Sequence, residues 1–304
     1  MVLLLTNSVD PTADLIVERL PGRVFRLDFD RFSDYALALA PDAWSISGPT
    51  GLEITSATVS AAFWWKAFNV QPGEQDVMVT EEVKYVFREL YHGCRARGMV
   101  KGNPPDFHDR LGKLAILRLA QPHFSTPRTL VTFRCAGVDR FANGPIVAKS
   151  LASRLTATGA ALYTTEVDPR QLHPDYPWFL QARVDSPADL TVFVCGERLF
   201  AFERSREHLE SLDWRAGDEE DGNQAQWRPF TLSAEDERAT RALLADLGVE
   251  WGRIDLMRTN DGRSVFLEFN ANGQWNFLDP DHRVGVLDAV AQYLTSPSSR
   301  PMRP

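Results

Sequence analysis

Trp251–Asp279 reads WGRIDLMRTNDGRSVFLEFNANGQWNFLD. Two alternating apolar runs flank Asp261-Gly262. Both of those residues tolerate positive φ, so the stretch predicts a β-hairpin with them as its loop. Such a loop pairs Asn260 with Arg263. Counting back from it places Asp255 opposite Glu268 and Arg253 opposite Asn270, and the period of two gathers Asp255, Glu268 and Asn270 on one face. Carboxylates directly across a ladder lie roughly 5 Å apart at Cβ and repel each other. A hard divalent cation would offset that repulsion, because Mg²⁺ takes one or two carboxylates and completes its shell with phosphate oxygens and water. Arg253, on the same face, would offset it as a structural ion pair. The hairpin alone leaves both readings open.

The rest of the chain narrows the class. It has 304 residues, the length of two domains or three small ones. With 44% hydrophobic and 24% charged residues it has the composition of a soluble globular protein. A net charge of −8 and a pI near 5.3 argue against nucleic acid as a partner. Cys94, Cys135 and Cys195 are far apart and show no metal-ligand spacing, so a reducing cytoplasm is expected. The start MVLLLTNSVD has no basic region and is too short for a signal core, so no secretion signal is expected. No apolar run is long enough to span a membrane. The six histidines are scattered, without paired zinc spacing.

The opening reads as β-α-β: a buried strand at 2–6, a helix from the Asp10-Pro11 cap to Leu20, and a strand at Arg23–Phe29, which together predict an α/β domain. Short strands follow at Trp44–Ile46, Leu52–Ile54 and Ala62–Lys66. Thr80, with Glu81 and Glu82, is expected to cap a long helix with Val83, Val86, Phe87, Leu90, Tyr91 and Cys94 on its apolar face, ended by Gly98. A second unit begins near Asn103-Pro104-Pro105 with a helix over His108–Ala120 that presents Leu111, Leu114, Ala115 and Leu117. Strands are expected at Arg128–Phe133, Pro145–Lys149 and Ala160–Thr165, with Ser150–Gly159 as a small-residue loop. The remainder is strand-rich, at Trp178–Val184, Leu190–Gly196, Arg198–Glu203 and Gln226–Phe230, with a charged loop over 204–225. Ser233 with Asp236 starts a helix that runs to Gly248, and Val284–Leu294 is the last helix. The tail 295–304 is expected to be disordered.

Lysines are few: Lys66, Lys84, Lys101, Lys113 and Lys149. Lys149 ends the apolar run PIVAK and enters the small-residue loop, whose backbone N–H groups would approach phosphates while the lysine supplies a point charge. A solvated strand-end lysine is the plainer reading, as a surface lysine is for Lys113. Phe179–Val184 reads either as a hinge whose backbone meets a purine edge or as a plain edge strand.

The opening stretch closely resembles the carboxyl-terminal core of ATP-grasp ligases, where a D…E-x-N set holds Mg-ATP; Asp255, Glu268 and Asn270 match it. The nearer resemblance is to the ATP-grasp ribosomal peptide maturases that make graspetides such as the microviridins. VLLLTNSVDPTADLIVERL is similar to their pre-grasp strand and helix, and PRTLVT to the start of their central domain. Leu212-Asp213-Trp214-Arg215 is similar to their D-W-R element, and FLEFNANGQW to their F-L-E-x-N-x-x-G-Q-W signature. The resemblance implies an α/β (α+β) ATP-grasp fold with a pre-ATP-grasp domain at 1–102, a central subdomain at 103–184 and an antiparallel core at 185–294. It implies that Lys113 and Lys149 contact ATP phosphates and that Gln181 to Val184, Arg183 among them, form the adenine hinge. Asp189 or Asp185 would meet the ribose. Arg215 would lie near the γ-phosphate or acyl phosphate, so Arg215 and Lys149 are the candidate catalytic pair. Asp255, Glu268 and Asn270 would hold Mg²⁺. Three phosphates and a developing acyl phosphate call for this mixture of lysine, arginine and Mg²⁺.

Four departures stand out. The chain has Ala182 where the family usually has an acid, Thr191 where it usually has an arginine, and Arg253 where it tends to have a small residue. The run Glu203-Arg204-Ser205-Arg206 is more basic than in the family. With threonine at 191, the phosphate grip of that arginine would have to come from Arg204, Arg206 or Arg253. The expected function is ATP-dependent activation of Asp or Glu side chains on a ribosomal precursor peptide, followed by attack of a Ser/Thr hydroxyl or Lys amine to close an ester or amide ring. Segment 204–228 is the expected leader-docking site. Two alternatives remain: a ligase adding a free amino acid or amine to a peptide or small acid, and a degenerate relative that binds peptide or nucleotide without turnover. A homodimer is expected on the general two-fold preference and on family grounds.

Overall fold

The computed structural model describes residues 1–70, 76–141, 143–151, 163–207, 209, 211–213, 215 and 227–297. Val2–Thr6 (β1) is buried at every position, as a central parallel strand must be. Asp10 caps Pro11–Arg19 (α1) by accepting the Thr12 and Ala13 N–H groups, and Pro11 sits where no helical N–H is missed. The chain returns as Val24–Asp28 (β2), parallel to β1. Ala36–Leu39 (β3), Trp44–Ser47 (β4) and Glu53–Thr55 (β5) form a small antiparallel sheet, of which β3 was not foreseen. Ala61–Trp64 (β6) then pairs with the other edge of β1. Val77–Ala96 (α2) leads to Val100–Lys101 (β7), which completes the order β2-β1-β6-β7. This helix starts earlier than Thr80: Asp76 is the cap, accepting the Met78 N–H at 2.8 Å, and Thr80 is buried inside it.

The helix expected over 108–120 is broken. Phe107–Arg110 (α3) stops at Leu111, and Lys113–Ala120 (α4) restarts after Gly112. The restart puts Lys113 at the first helical position and rotates the apolar face, so that Ile116, Leu117 and Ala120 are buried while Leu114 is 49% exposed. Thr129–Thr132 (β8), Val138–Phe141 (α5), Ile146–Lys149 (β9), Thr165–Val167 (β10) and Trp178–Ala182 (β11) follow, and the strands pair antiparallel in the order β10-β9-β11-β8. The strand expected at 160–165 begins only at Thr165 within the described residues; 160–162 and most of the small-residue loop lie outside them.

The third sheet contains Ala188–Cys195 (β12), Arg198–Ser205 (β13), Arg228–Phe230 (β14), Trp251–Arg258 (β15) and Ser264–Asn270 (β16), in the order β14-β13-β12-β15-β16. Most of the charged loop expected before β14 lies outside the described residues. Ser233 caps Ala234–Leu247 (α6) as expected, accepting the Asp236 N–H at 3.0 Å, and Gly248 ends it in the left-handed region. Val286–Thr295 (α7) packs back on α1. Aromatic side chains join the first and third sheets: the ring centroids of Phe63 in β6 and of Trp65 just after it lie 4.9 and 6.1 Å from that of Trp251 in β15. Large buried rings contribute much of the apolar burial at such a junction. The junction fixes the loop after β6 beside the segment that follows β16. Among the described residues, no helix is long and apolar enough to cross a membrane.

Candidate active site

The hairpin delivers the acidic pair by a route other than the simple count. Its loop has three residues, Asn260-Asp261-Gly262, closed by the Thr259 N–H donating to Arg263 O at 2.9 Å. Of these only Gly262 takes positive φ, at +82°, whereas a two-residue type I′ loop would force Asp261 there as well. The extra loop residue displaces the pairing by one, so Leu256 faces Phe266. A β-bulge at Leu267 restores it, and Asp255 faces Glu268 while Arg253 faces Asn270. Leu267 and Glu268 both line the cleft.

The two carboxylates differ in their surroundings. Asp255 accepts four hydrogen bonds: from Thr191 Oγ1 at 2.8 Å, Arg253 Nε at 3.0 Å, Arg253 Nη2 at 3.1 Å and Asn270 Nδ2 at 2.9 Å. Among the described residues, Glu268 accepts only from Asn270 Nδ2, at 3.1 Å, and no cation pairs with it. The Asn270 amide thus bridges both carboxylates. Turned over, its oxygen would present a third oxygen ligand at the same point. The described residues contain no cluster of three or more His, Cys, Asp and Glu. Carboxylate and amide are nevertheless the donor types Mg²⁺ takes, and Glu268 and Asn270 fit an ion that leaves much of its shell to water and phosphate, whereas Asp255 already spends its oxygens on Arg253, Thr191 and Asn270.

Glu268 faces a group of cations across the cleft between the second and third sheets. Lys149, at the end of β9, shares the cavity lining with Glu268 and Arg215. Burial pulls its ammonium below the ordinary lysine range; Glu268 opposes that shift and Lys113 adds to it. Lys113 donates to Ser150 O at 2.7 Å and lies 5.9 Å from the Phe179 ring centroid; burial lowers its value too, with Glu268 again opposing. The Asp213 carboxylate grips Arg215, at 2.8 Å to Nε and 2.7 Å to Nη2, and also accepts the Thr164 N–H at 3.0 Å. That hydrogen-bonded carboxylate raises Arg215 above its ordinary range. Burial acts upward on Asp213, but its Arg215 and Thr164 donors outweigh it and hold the carboxyl below the usual range.

The expected hinge lines the same cavity. Gln181 is buried and donates through Nε2 to Thr129 Oγ1 at 3.1 Å. The Ala182 and Arg183 N–H groups are taken by Arg128 O and Pro145 O, each at 2.9 Å, whereas the Val184 N–H meets no acceptor among the described residues. The Arg183 side chain, in the cavity lining, pairs with Glu166 at 2.7 Å and Asp185 at 2.8 Å. Asp189 lies in the lining, but Arg206 Nη1 contacts both of its oxygens, at 2.8 and 2.7 Å. Burial raises its pKa and Arg206 partly offsets that.

All the candidate residues therefore border one cleft. Lys149, Gln181, Arg183, Val184, Asp189, Arg215, Asp255 and Glu268 line one cavity; Lys113 and Asn270 line an adjoining one that shares Lys149, Gln181, Leu267 and Glu268. Three residues that take roles not foreseen for them matter to it. Asp213 orients Arg215, and its spacing of two in the D-W-R element could have suggested that. Arg206, one of the three candidates for the phosphate grip missing at Thr191, instead pairs with Asp189. Gln274 links two cations: its Oε1 accepts from Lys66 Nζ at 3.0 Å and its main-chain oxygen from Arg253 Nη1 at 2.9 Å. No sequence signal marked the Lys66 contact.

No protein-family model and no curated protein matches this chain. Solved structures do. A Chryseobacterium gregarium RiPP-associated ATP-grasp ligase in complex with ADP and a leader and core peptide is similar at 20% identity and TM-score 0.83, covering 99% of each chain. The macrocyclase MdnC of Microcystis aeruginosa MRC, bound with precursor peptide MdnA, is similar at 23% identity and TM-score 0.76, covering 96% of this chain and 98% of that one. The ATP-grasp ligase PsnB, complexed with minimal precursor, Mg and ADP, is similar at 16% identity and TM-score 0.72, covering 98% of each. The chain has the ATP-grasp fold from end to end.

Proposed function

We propose that the cleft is the active site of an ATP-dependent ligase that closes rings in a ribosomally made precursor peptide. The observation that carries this reading is the convergence of Lys113, Lys149 and Arg215 on Glu268, beside Asp255 and Asn270, between two antiparallel sheets. Positive groups so placed suit a triphosphate and the charge that spreads as its terminal phosphoryl group is transferred. The Val184 N–H, which lies just past β11 and meets no acceptor among the described residues, suits a purine edge. Mg²⁺ would be held at the Glu268–Asn270 end, beside the Arg253-paired Asp255, and would supply Lewis-acid neutralisation of the phosphates. Lys149 and Lys113 would grip phosphate oxygens, and Arg215, held by Asp213, would stabilise the acyl phosphate.

In this reading an Asp or Glu side chain of the peptide takes the terminal phosphoryl group of ATP, releasing ADP. A Ser/Thr hydroxyl or Lys amine of the same peptide then attacks the acyl carbon and expels phosphate. The net change is one ester or amide and the loss of one water from the peptide. The likeness to proteins solved with ADP and with leader or precursor peptides supports the peptide as substrate. A leader bound near 204–228, a homodimer and a cytoplasmic setting belong to the same proposal; light scattering in solution checks the dimer. Intact-mass measurement after incubation with Mg-ATP and a candidate precursor tests the function. Loss of one water per ring is expected. A gain equal to an added amine less one water, or nucleotide bound with no ADP formed, would replace this reading with one of its alternatives.

A further inference from the structure

Asp255 is closed to further ligands in a way that Glu268 is not. A carboxylate offers about four lone-pair positions. Thr191, Asn270 and two nitrogens of Arg253 supply four donors to Asp255, and the three from Thr191 and Arg253 remain when Asn270 turns its amide oxygen to a cation. The guanidinium is equally committed, since Nη1 donates to Gln274 O at 2.9 Å and the group lies 5.4 Å from the Phe277 ring centroid. Its stem is confined as well, because a Cβ on Gly273 would come within 2.8 Å of Arg253 Cβ. The Arg253 side chain is 11% exposed, so the pair is largely out of water. A cation binding Asp255 directly would have to break a part-buried bidentate ion pair and strand the guanidinium, a loss on the order of tenfold or more in affinity. Glu268 carries no such partner among the described residues.

We infer that Arg253, not a metal ion, is the resident counter-ion of Asp255, and that a divalent cation entering this cleft is carried by Glu268 and Asn270. The inference rests on the proposed function only in supposing that such a cation enters. It makes Arg253 a positioning residue: it fixes Asp255, which in turn holds the Asn270 amide beside Glu268.

Mn²⁺ titrated calorimetrically into the full chain with ADP present tests this. Glu268→Gln should weaken Mn²⁺ about tenfold to hundredfold. Arg253→Met frees the Asp255 carboxylate and should tighten Mn²⁺ about tenfold, with a metal-dependent rise in melting temperature larger than in the wild type. The double variant Arg253→Met/Asp255→Asn removes a neutral pair and should stay within about threefold of the wild type, since replacing a buried ion pair as a unit is tolerated. Should Arg253→Met not fold, the double variant decides alone. Loss of Mn²⁺ binding in the double variant to the extent seen in Glu268→Gln, or unchanged or weaker binding in Arg253→Met, overturns the inference while leaving the proposed function standing. A wild type that binds neither ADP nor Mn²⁺ overturns both.

Discussion

Asp213 holds Arg215 side-on, with Nε reaching Oδ1 at 2.8 Å and Nη2 reaching Oδ2 at 2.7 Å. The Thr164 N–H donates to the same Oδ2 at 3.0 Å and helps fix the carboxylate. Arg215 is thus aimed by its partner, and its position needs no nucleotide to define it. Asp213→Asn removes the charge and one half of the fork. Turnover is expected to fall about tenfold to hundredfold, because a misplaced catalytic group loses orientation. ADP affinity should change much less. Parallel losses in turnover and in ADP affinity would assign Asp213 to nucleotide binding instead.

Gly273 accounts for one fixed position in the FLEFNANGQW run. An added Cβ would lie 2.8 Å from Arg253 Cβ and 3.0 Å from Asn270 Cβ, closer than carbon atoms pack. Gly273→Ala is expected to cost about 1–3 kcal/mol in urea unfolding, as overpacking does. Gly93 is the control, since it lies within α2 and a Cβ there meets nothing within 4 Å. Gly93→Ala should stabilise by about 0.5–1 kcal/mol. Equal effects at both positions would refute the steric account.

Buried lysines give the site a pH signature. Burial lowers Lys149 and Lys113 below 10.5, so the folded chain gives up these protons before the unfolded chain does. Between the lowered values and 10.5 the unfolded state binds more protons, and these two groups make stability rise with pH across that window and fall as pH drops through the lowered values. Phosphate beside the ammoniums favours their charged form. Nucleotide binding is therefore expected to take up protons between the lowered values and 10.5, seen as a dependence of binding heat on buffer ionisation enthalpy. Lys149→Arg should shrink the uptake, because arginine stays charged. Uptake unchanged in that variant would remove Lys149 from the phosphate contacts.

Much of the site was legible because strands convert spacing into direction. Asp255, Glu268 and Asn270 share a face once the hairpin is closed, and the count found their pairing. It found it through two compensating displacements, a third loop residue and the Leu267 bulge, because twelve residues between Asp255 and Glu268 fit either route. The choice lies in backbone conformation: one residue at positive φ costs less than two. The break at Gly112 was missed because the apolar spacing of 108–120 runs through it, and only tertiary packing shows which turn faces inward. The metal-versus-arginine question at Asp255 could not be settled by register, since Arg253 occupies the same face. Its answer depends on which side chain reaches both carboxylate oxygens. Glu166, which pairs with Arg183, and Arg206, which pairs with Asp189, are distant in sequence, and nothing in the local sequence marks them.

The central claim is that a peptide carboxylate is activated by phosphoryl transfer in this cleft. Label the Asp and Glu side-chain oxygens of the substrate peptide with oxygen-18, supply Mg-ATP and the enzyme, and collect the inorganic phosphate released as rings close. The account predicts one labelled oxygen in each phosphate, because the carboxylate oxygen leaves with the phosphoryl group. Ring closure with unlabelled phosphate would contradict it.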